Sequence, residues 1–92
     1  MGEELPYEIE WSATARHALQ RIPEKVATSA VEFIYGPLAR SPERVGHALH
    51  FELAGSHSAH RGDYRIMYRI DPDERVVTIL AITHRADAYR RR

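Results

Sequence analysis

A strict alternation of side-chain type is the feature of this sequence that most limits its fold. The apolar members of the alternation are Tyr64, Ile66, Tyr68 and Ile70. Between them stand Arg65, Met67 and Arg69. A period of two over seven residues is typical of a β-strand with one buried and one exposed face. The sequence therefore predicts a sheet that buries the tyrosine face and leaves Arg65 and Arg69 exposed.

Three further segments have the character of strands. Residues 7–11 alternate apolar with acidic side chains, and residues 76–82 are rich in Val and Ile. Leu49, Phe51 and Leu53 alternate with two polar residues, and Gly55 marks a turn after them. Residues 71–74 (Asp-Pro-Asp-Glu) are typical turn formers, so a hairpin is expected there.

Two helices are predicted between the first strand and the rest of the sheet. Ser12 or Thr14 can cap the first helix, and Pro23 suits the first turn of the second. The second helix has an apolar stripe at helical spacing, made of Val26, Ala30, Phe33 and Ile34. Gly36 and Pro37 are expected to end it.

The predicted order is β-α-α-β-β-β, without an internal repeat or a linker. We expect an α+β fold of two layers, with the two N-terminal helices packed on one face of a mainly antiparallel sheet. At 92 residues, the chain is expected to form one domain over residues 1–92. The second face of the sheet would then remain open.

Composition excludes several classes of protein. The chain has no cysteine, which excludes disulfides, thiolate zinc sites and cysteine nucleophiles. It has no apolar run near the roughly 20 residues that span a bilayer and no signal-peptide pattern, so no membrane partner and a cytoplasmic location are expected. Net charge is zero, but residues 1–46 hold seven acids and five bases, whereas residues 47–92 hold six acids and eight arginines. Neutrality therefore does not exclude an RNA target.

The candidate site is the open face together with the C-terminal tail. Its members are His50, Glu52, Arg61, Arg65, His84, Arg85 and Tyr89, with His47 at the loop edge. Arginine can stabilise charge on a phosphate, and His and Glu can exchange protons near neutral pH. This set suits cleavage of RNA by its own 2′-hydroxyl, which needs a base, an acid and cations. The alternative is an ordinary solvated sheet face.

A metal site is the other interpretation of the histidines. His47 and His50 are three residues apart, as are His57 and His60. These segments are predicted as loop and strand rather than helix, and no His-Glu-x-x-His pattern is present. We therefore expect neither a metal nor another cofactor.

Several motifs together resemble the RelE/ParE superfamily of type II toxins. They are Leu-His-Phe-Glu-Leu-Ala-Gly at 49–55, Ser-Ala-His-Arg-Gly-Asp-Tyr-Arg-Ile-Met-Tyr at 58–68, Ile-Thr-His-Arg at 82–85, and Tyr89. The β-α-α start with Ile22-Pro23 between the helices fits as well, so the similarity covers roughly residues 6–90. The resemblance is to the RelE branch.

The resemblance also implies roles for individual residues. Arg65 matches an arginine that contacts the scissile phosphate, Arg85 a second phosphate-stabilising arginine, and Tyr89 a tyrosine that stacks on or orients the substrate. His84 lies near a histidine that acts as general acid in the YoeB-like subset, so His84 or Tyr89 is expected to serve as the acid.

The general base is not fixed by the resemblance. RelE has two lysines in its second strand, and we match their positions to His50 and Glu52; the YoeB-like glutamate base falls near His47. His47, His50 and Glu52 all remain possible bases. For contacts to RNA we expect His50, Arg61 and Arg69.

Members of the RelE branch are ribosome-dependent endoribonucleases that cut mRNA and are silenced by a cognate antitoxin. The resemblance thus implies a metal-independent mRNA interferase that inhibits translation. Its expected partners are the antitoxin, the ribosome and mRNA, with a monomeric toxin inside the toxin–antitoxin complex. The alternatives are a ParE-like, non-catalytic inhibitor of DNA gyrase and a degenerate toxin that only binds its antitoxin.

Overall fold

The computed structural model describes residues 5–49 and 55–84. In chain order, its elements are β1 (Glu8–Trp11), α1 (Ala13–Arg21), α2 (Glu24–Phe33), a π-helical turn (Ile34–Leu38), β2 (His47–Ala48), β3 (Ser56–Arg61), β4 (Tyr64–Asp71) and β5 (Val76–His84).

Within the described part of the chain, the strands form one five-stranded sheet with the order β1-β5-β4-β3-β2. β1 runs parallel to β5, and the other neighbours are antiparallel. The predicted α+β architecture, with two helices on a mainly antiparallel sheet, is confirmed. The hairpin between β4 and β5 is confirmed as well, since the Asp71 carboxylate accepts hydrogen bonds from the backbone N–H groups of Asp73 and Glu74, each at 3.1 Å.

Strand β3 was not predicted from the sequence. Its helix-facing positions hold His57, Ala59 and Arg61, so it lacks the apolar alternation that marks β4. A two-residue turn, Gly62-Asp63, joins it to β4, and Gly62 has a φ of +55° that favours glycine. The strand predicted at residues 49–53 falls mostly outside the described residues.

Helix α1 is capped by Ser12, which decides between the two predicted caps. The Ser12 hydroxyl accepts a 3.0 Å hydrogen bond from the Ala15 N–H and donates one of 3.0 Å to the carbonyl of Leu80. It therefore satisfies the helix end and ties α1 to β5 at the same time.

The prediction that Gly36 and Pro37 end the second helix was wrong. Pro37 has no backbone N–H, so a regular α-helical ladder cannot continue through it. The chain instead continues through the wider π-helical turn Ile34–Leu38. The fully buried side chains Ile34 and Leu38 stand at the two ends of that turn, where they extend the apolar face of α2.

The core lies between the helices and one face of the sheet. Its largest fully buried side chains are Tyr68, Ile34, Leu38, Ile66, Ile79 and Val77. Arg65 and Arg69 are exposed, as the alternation in β4 predicts. Within residues 5–49 and 55–84, no helix is long and apolar enough to cross a membrane.

Candidate active site on the open sheet face

Arg65 lies in the middle of a row of three side chains on the open face, the side of the sheet away from α1 and α2. Strand pairing places His60 of β3 directly opposite Arg65, and Thr83 of β5 opposite it on the other side. All three residues are exposed. Side chains directly opposite each other in antiparallel strands have Cβ atoms about 5 Å apart. Arg65 is thus flanked by an imidazole and a hydroxyl.

His47 lies on the same face but further away. It pairs with Ser58 of β3, which in turn pairs with Met67 of β4. His47 is therefore two strands and two residues away from Arg65, or roughly 12 Å between Cα atoms at normal strand spacing. A group bound at Arg65 would have to extend across β3 to reach His47.

Arg69 occupies a third row, toward the other end of β4. It pairs with Ser56 on one side and with Thr78 on the other, and Glu10 of β1 lies beyond Thr78. Arg69 is four residues from Arg65, or about 13 Å along the strand. The two arginines are too far apart to hold one phosphate, but they can contact two different phosphates of an extended RNA.

Arg61 does not lie on the open face, which corrects its predicted location. His84, predicted in the C-terminal tail, is instead the last residue of β5 and lies on the helix side. Each pairs with Tyr64, whose side chain is buried on the helix side. The Arg61 guanidinium lies 4.5 Å from the centre of the Phe33 ring of α2. Arg61 also lines a cleft of about 280 Å³ together with Lys25 and Ser29. The alternation of side chains along a strand explains this location of Arg61. The two-residue turn pairs Arg61 with Tyr64, whose side chain points to the opposite face from that of the next residue, Arg65.

His60 is the neighbour of Arg65 that sequence reasoning missed. The sequence suggested it only as half of a possible metal pair with His57. The two histidines lie on opposite faces, since His57 stacks on Tyr68 with ring centres 5.5 Å apart. Within residues 5–49 and 55–84 no cluster of three or more His, Asp or Glu side chains could hold a metal ion. The Gly62-Asp63 dipeptide was the sequence signal that could have revealed this pairing. It is typical of a two-residue hairpin turn, and such a turn places His60 opposite Arg65.

Four predicted site residues lie outside the described residues. They are His50, Glu52, Arg85 and Tyr89. The structure therefore brings together Arg65 and His60, with His47 and Arg69 further along the same face.

Comparison with known proteins agrees with this architecture. Residues 9–89 match the family described as ParE toxin of type II toxin-antitoxin system, parDE. This chain belongs to that toxin family. The predicted membership of the RelE/ParE superfamily is thereby confirmed.

Two relatives from Mycobacterium tuberculosis align with this toxin over almost its whole length. Toxin RelG is 48% identical over 87 residues, which are 95% of this toxin and 100% of RelG. Toxin RelE is 47% identical over 90 residues, which are 98% of this toxin and 93% of that protein. Both carry names of the RelE branch, to which the sequence motifs also pointed.

Solved structures extend the same likeness to the fold. The RelBE2 toxin–antitoxin complex from M. tuberculosis contains a chain that superposes with a TM-score of 0.86 and 46% identity, covering 88% of this toxin and 100% of that chain. The isolated E. coli RelE toxin gives a TM-score of 0.70 at 11% identity, covering 85% of this toxin and 83% of that chain. At that identity the E. coli protein supports the fold alone.

Proposed function

We propose that this toxin is a ribosome-dependent endoribonuclease that cuts mRNA and so inhibits translation. The observation that carries the proposal is the exposed Arg65 on the open face, flanked by His60 and Thr83. An arginine in this setting offers several N–H donors in a fixed geometry that suits a phosphate. The toxin relatives at 47–48% identity support the same proposal.

Arg65 would bind the scissile phosphate and stabilise the negative charge that grows on it during cleavage. The 2′-hydroxyl of the substrate is the nucleophile, so the reaction needs a base, an acid and cations but no metal-bound water. His47 and Glu52 are the proposed bases. By resemblance, Arg85 would add a second phosphate contact, and Tyr89 would orient the nucleotide.

A cognate antitoxin is the proposed protein partner. The RelBE2 structure, whose toxin-like chain is 46% identical to this one, is a toxin–antitoxin complex. Toxin and antitoxin would meet in the cytoplasm, where the ribosome and mRNA are also found. Acidic side chains of the antitoxin can neutralise the arginines of the open face, because opposite charges attract strongly where water is excluded.

Replacing Arg65 tests the nuclease proposal. Arg65→Ala should lower the rate of mRNA cleavage on translating ribosomes by roughly 10²–10³, the usual cost of removing one charge-stabilising group. Primer extension on a defined mRNA measures the cleavage. Arg16→Ala is the matched control, since Arg16 is an exposed arginine of α1 in the other layer. Equal cleavage by Arg65→Ala and the wild type would contradict the proposal.

The ParE-like alternative can be tested in the same preparation. DNA gyrase supercoiling is measured with the wild-type toxin present. Inhibition of supercoiling with intact mRNA would replace the nuclease proposal by a non-catalytic, protein-binding function.

A further inference from the structure

We propose that His60 is the general acid of the cleavage reaction, protonating the 5′ oxygen that leaves the phosphate bound by Arg65. This inference rests on the proposed nuclease function. It assigns a catalytic role to a residue for which the resemblance implies none.

The hairpin between β3 and β4 fixes His60 beside Arg65. Its turn has only two residues, Gly62 and Asp63, and so sets the register of the pair. A shift of one residue in the register between β3 and β4 would move His60 to the helix side and leave Ala59 or Arg61 opposite Arg65. The pair directly beside the turn is Arg61 with Tyr64, and His60 with Arg65 is the next pair along the strands. The contact of the Arg61 guanidinium with the Phe33 ring holds this register.

The other described histidines of the sheet are less well placed. His84 pairs with Tyr64 on the helix side, and His57 stacks on Tyr68 beneath the sheet. His47 shares the open face but lies roughly 12 Å from Arg65. Among the residues that the structure describes, His60 is therefore the imidazole beside the proposed phosphate site.

An acid at this position completes the chemistry of the step. The 2′ oxygen forms a bond to phosphorus and gives its proton to the base. The bond between phosphorus and the 5′ oxygen breaks, and that oxygen takes the proton from the imidazolium of His60. The products are a 2′,3′-cyclic phosphate and a 5′-hydroxyl. His60 is left neutral and regains its proton from water, so no other reactant is needed.

The role of His60 can be tested by changing the leaving atom. The substrates are two mRNAs in programmed ribosomes, one natural and one with sulfur in place of the 5′ oxygen at the cleavage site. A thiolate leaves without protonation, so the sulfur substrate bypasses a general acid. His60→Gln should slow cleavage of the natural mRNA by roughly 10²–10⁴, the usual contribution of general acid–base catalysis. The same variant should cut the sulfur substrate at close to the wild-type rate.

Two control variants separate this inference from the nuclease proposal. His17→Gln removes an exposed histidine of α1 and should cut both substrates like the wild type. Arg65→Ala should slow both substrates, because the phosphate contact is needed for either leaving atom. Equal slowing of both substrates by His60→Gln, or none, would overturn the acid role while leaving the nuclease proposal in place. Unchanged cleavage by Arg65→Ala would instead remove the nuclease proposal.

Discussion

Tyr68 donates a 2.6 Å hydrogen bond to the carbonyl oxygen of Pro42, joining the central strand β4 to the loop that leads toward β2. Tyr68 is completely buried, and its ring stacks against His57 of β3. The same loop continues into His47, a candidate base. One core contact thus fixes the path of the chain that brings His47 to the open face.

Removing the Tyr68 hydroxyl should destabilise the toxin. Tyr68→Phe leaves the carbonyl of the buried Pro42 without this donor, at a cost of about 1–3 kcal/mol in the free energy of unfolding. Urea denaturation followed by circular dichroism measures the change. Tyr35→Phe is the control, because Tyr35 is 54% exposed and water can replace its hydroxyl as the acceptor for the Trp11 indole N–H, so stability should fall by less than about 1 kcal/mol. Equal losses in the two variants would show that the Pro42 contact contributes nothing.

Stability should also fall at alkaline pH because of Tyr68. Burial raises the pKa of Tyr68 from 10.0 to about 12. The folded state therefore holds this proton more tightly than the unfolded state, so the contribution is complete below pH 10 and is lost as pH rises toward 12. The free energy of unfolding should fall by up to about 1.4 kcal/mol per pH unit in that window. Tyr68→Phe should lack this part of the decline, and parallel curves for the two proteins would contradict the assignment.

Gly46 is required by the close approach of the loop to the sheet. A Cβ atom at this position would lie 2.7 Å from the carbonyl oxygen of Ser58 and would also contact the Tyr68 hydroxyl. Gly46→Ala should therefore shift backbone and cost about 1–3 kcal/mol in unfolding free energy. Gly36→Ala is the matched control, since nothing lies within 4 Å of its Cβ position. Chemical denaturation of both variants checks this, and a Gly46→Ala protein as stable as Gly36→Ala would show that the loop can move freely.

The fold was largely predictable because its main elements carry strong periodic patterns. The alternation in β4 predicted which side chains are buried, and the stripe on α2 predicted Ala30, Phe33 and Ile34 in the core. Strand β3 was missed because it has no apolar alternation of its own. Its helix-side positions are covered by ring contacts, His57 against Tyr68 and Arg61 over Phe33, which residue-type patterns do not reveal.

The candidate site was predicted only in part, for the same reason. Arg65 and Arg69 follow from their own strand, whereas the partners of Arg65 depend on which strand lies beside it. The sequence predicted that residues 49–53 form the strand beside β4, and His50 and Glu52 were therefore the predicted neighbours of Arg65. The sheet instead pairs Arg65 with His60, through the two-residue turn Gly62-Asp63. Register across strands is a tertiary property, and only the length of the Gly62-Asp63 turn encoded it locally.

Arg69 should contribute to binding of RNA rather than to cleavage. It lies about 13 Å from Arg65 along β4, so it would contact a neighbouring phosphate and not the scissile one. Arg69→Ala should weaken binding to programmed ribosomes and reduce the slope of log affinity against log salt by about 0.7, the value for one phosphate contact on a single strand. The cleavage rate at saturating toxin should stay unchanged. Arg16→Ala removes the same charge from the helix layer and should leave the slope unaltered. A saturating rate that falls as far as that of Arg65→Ala would instead place Arg69 at the reacting phosphate.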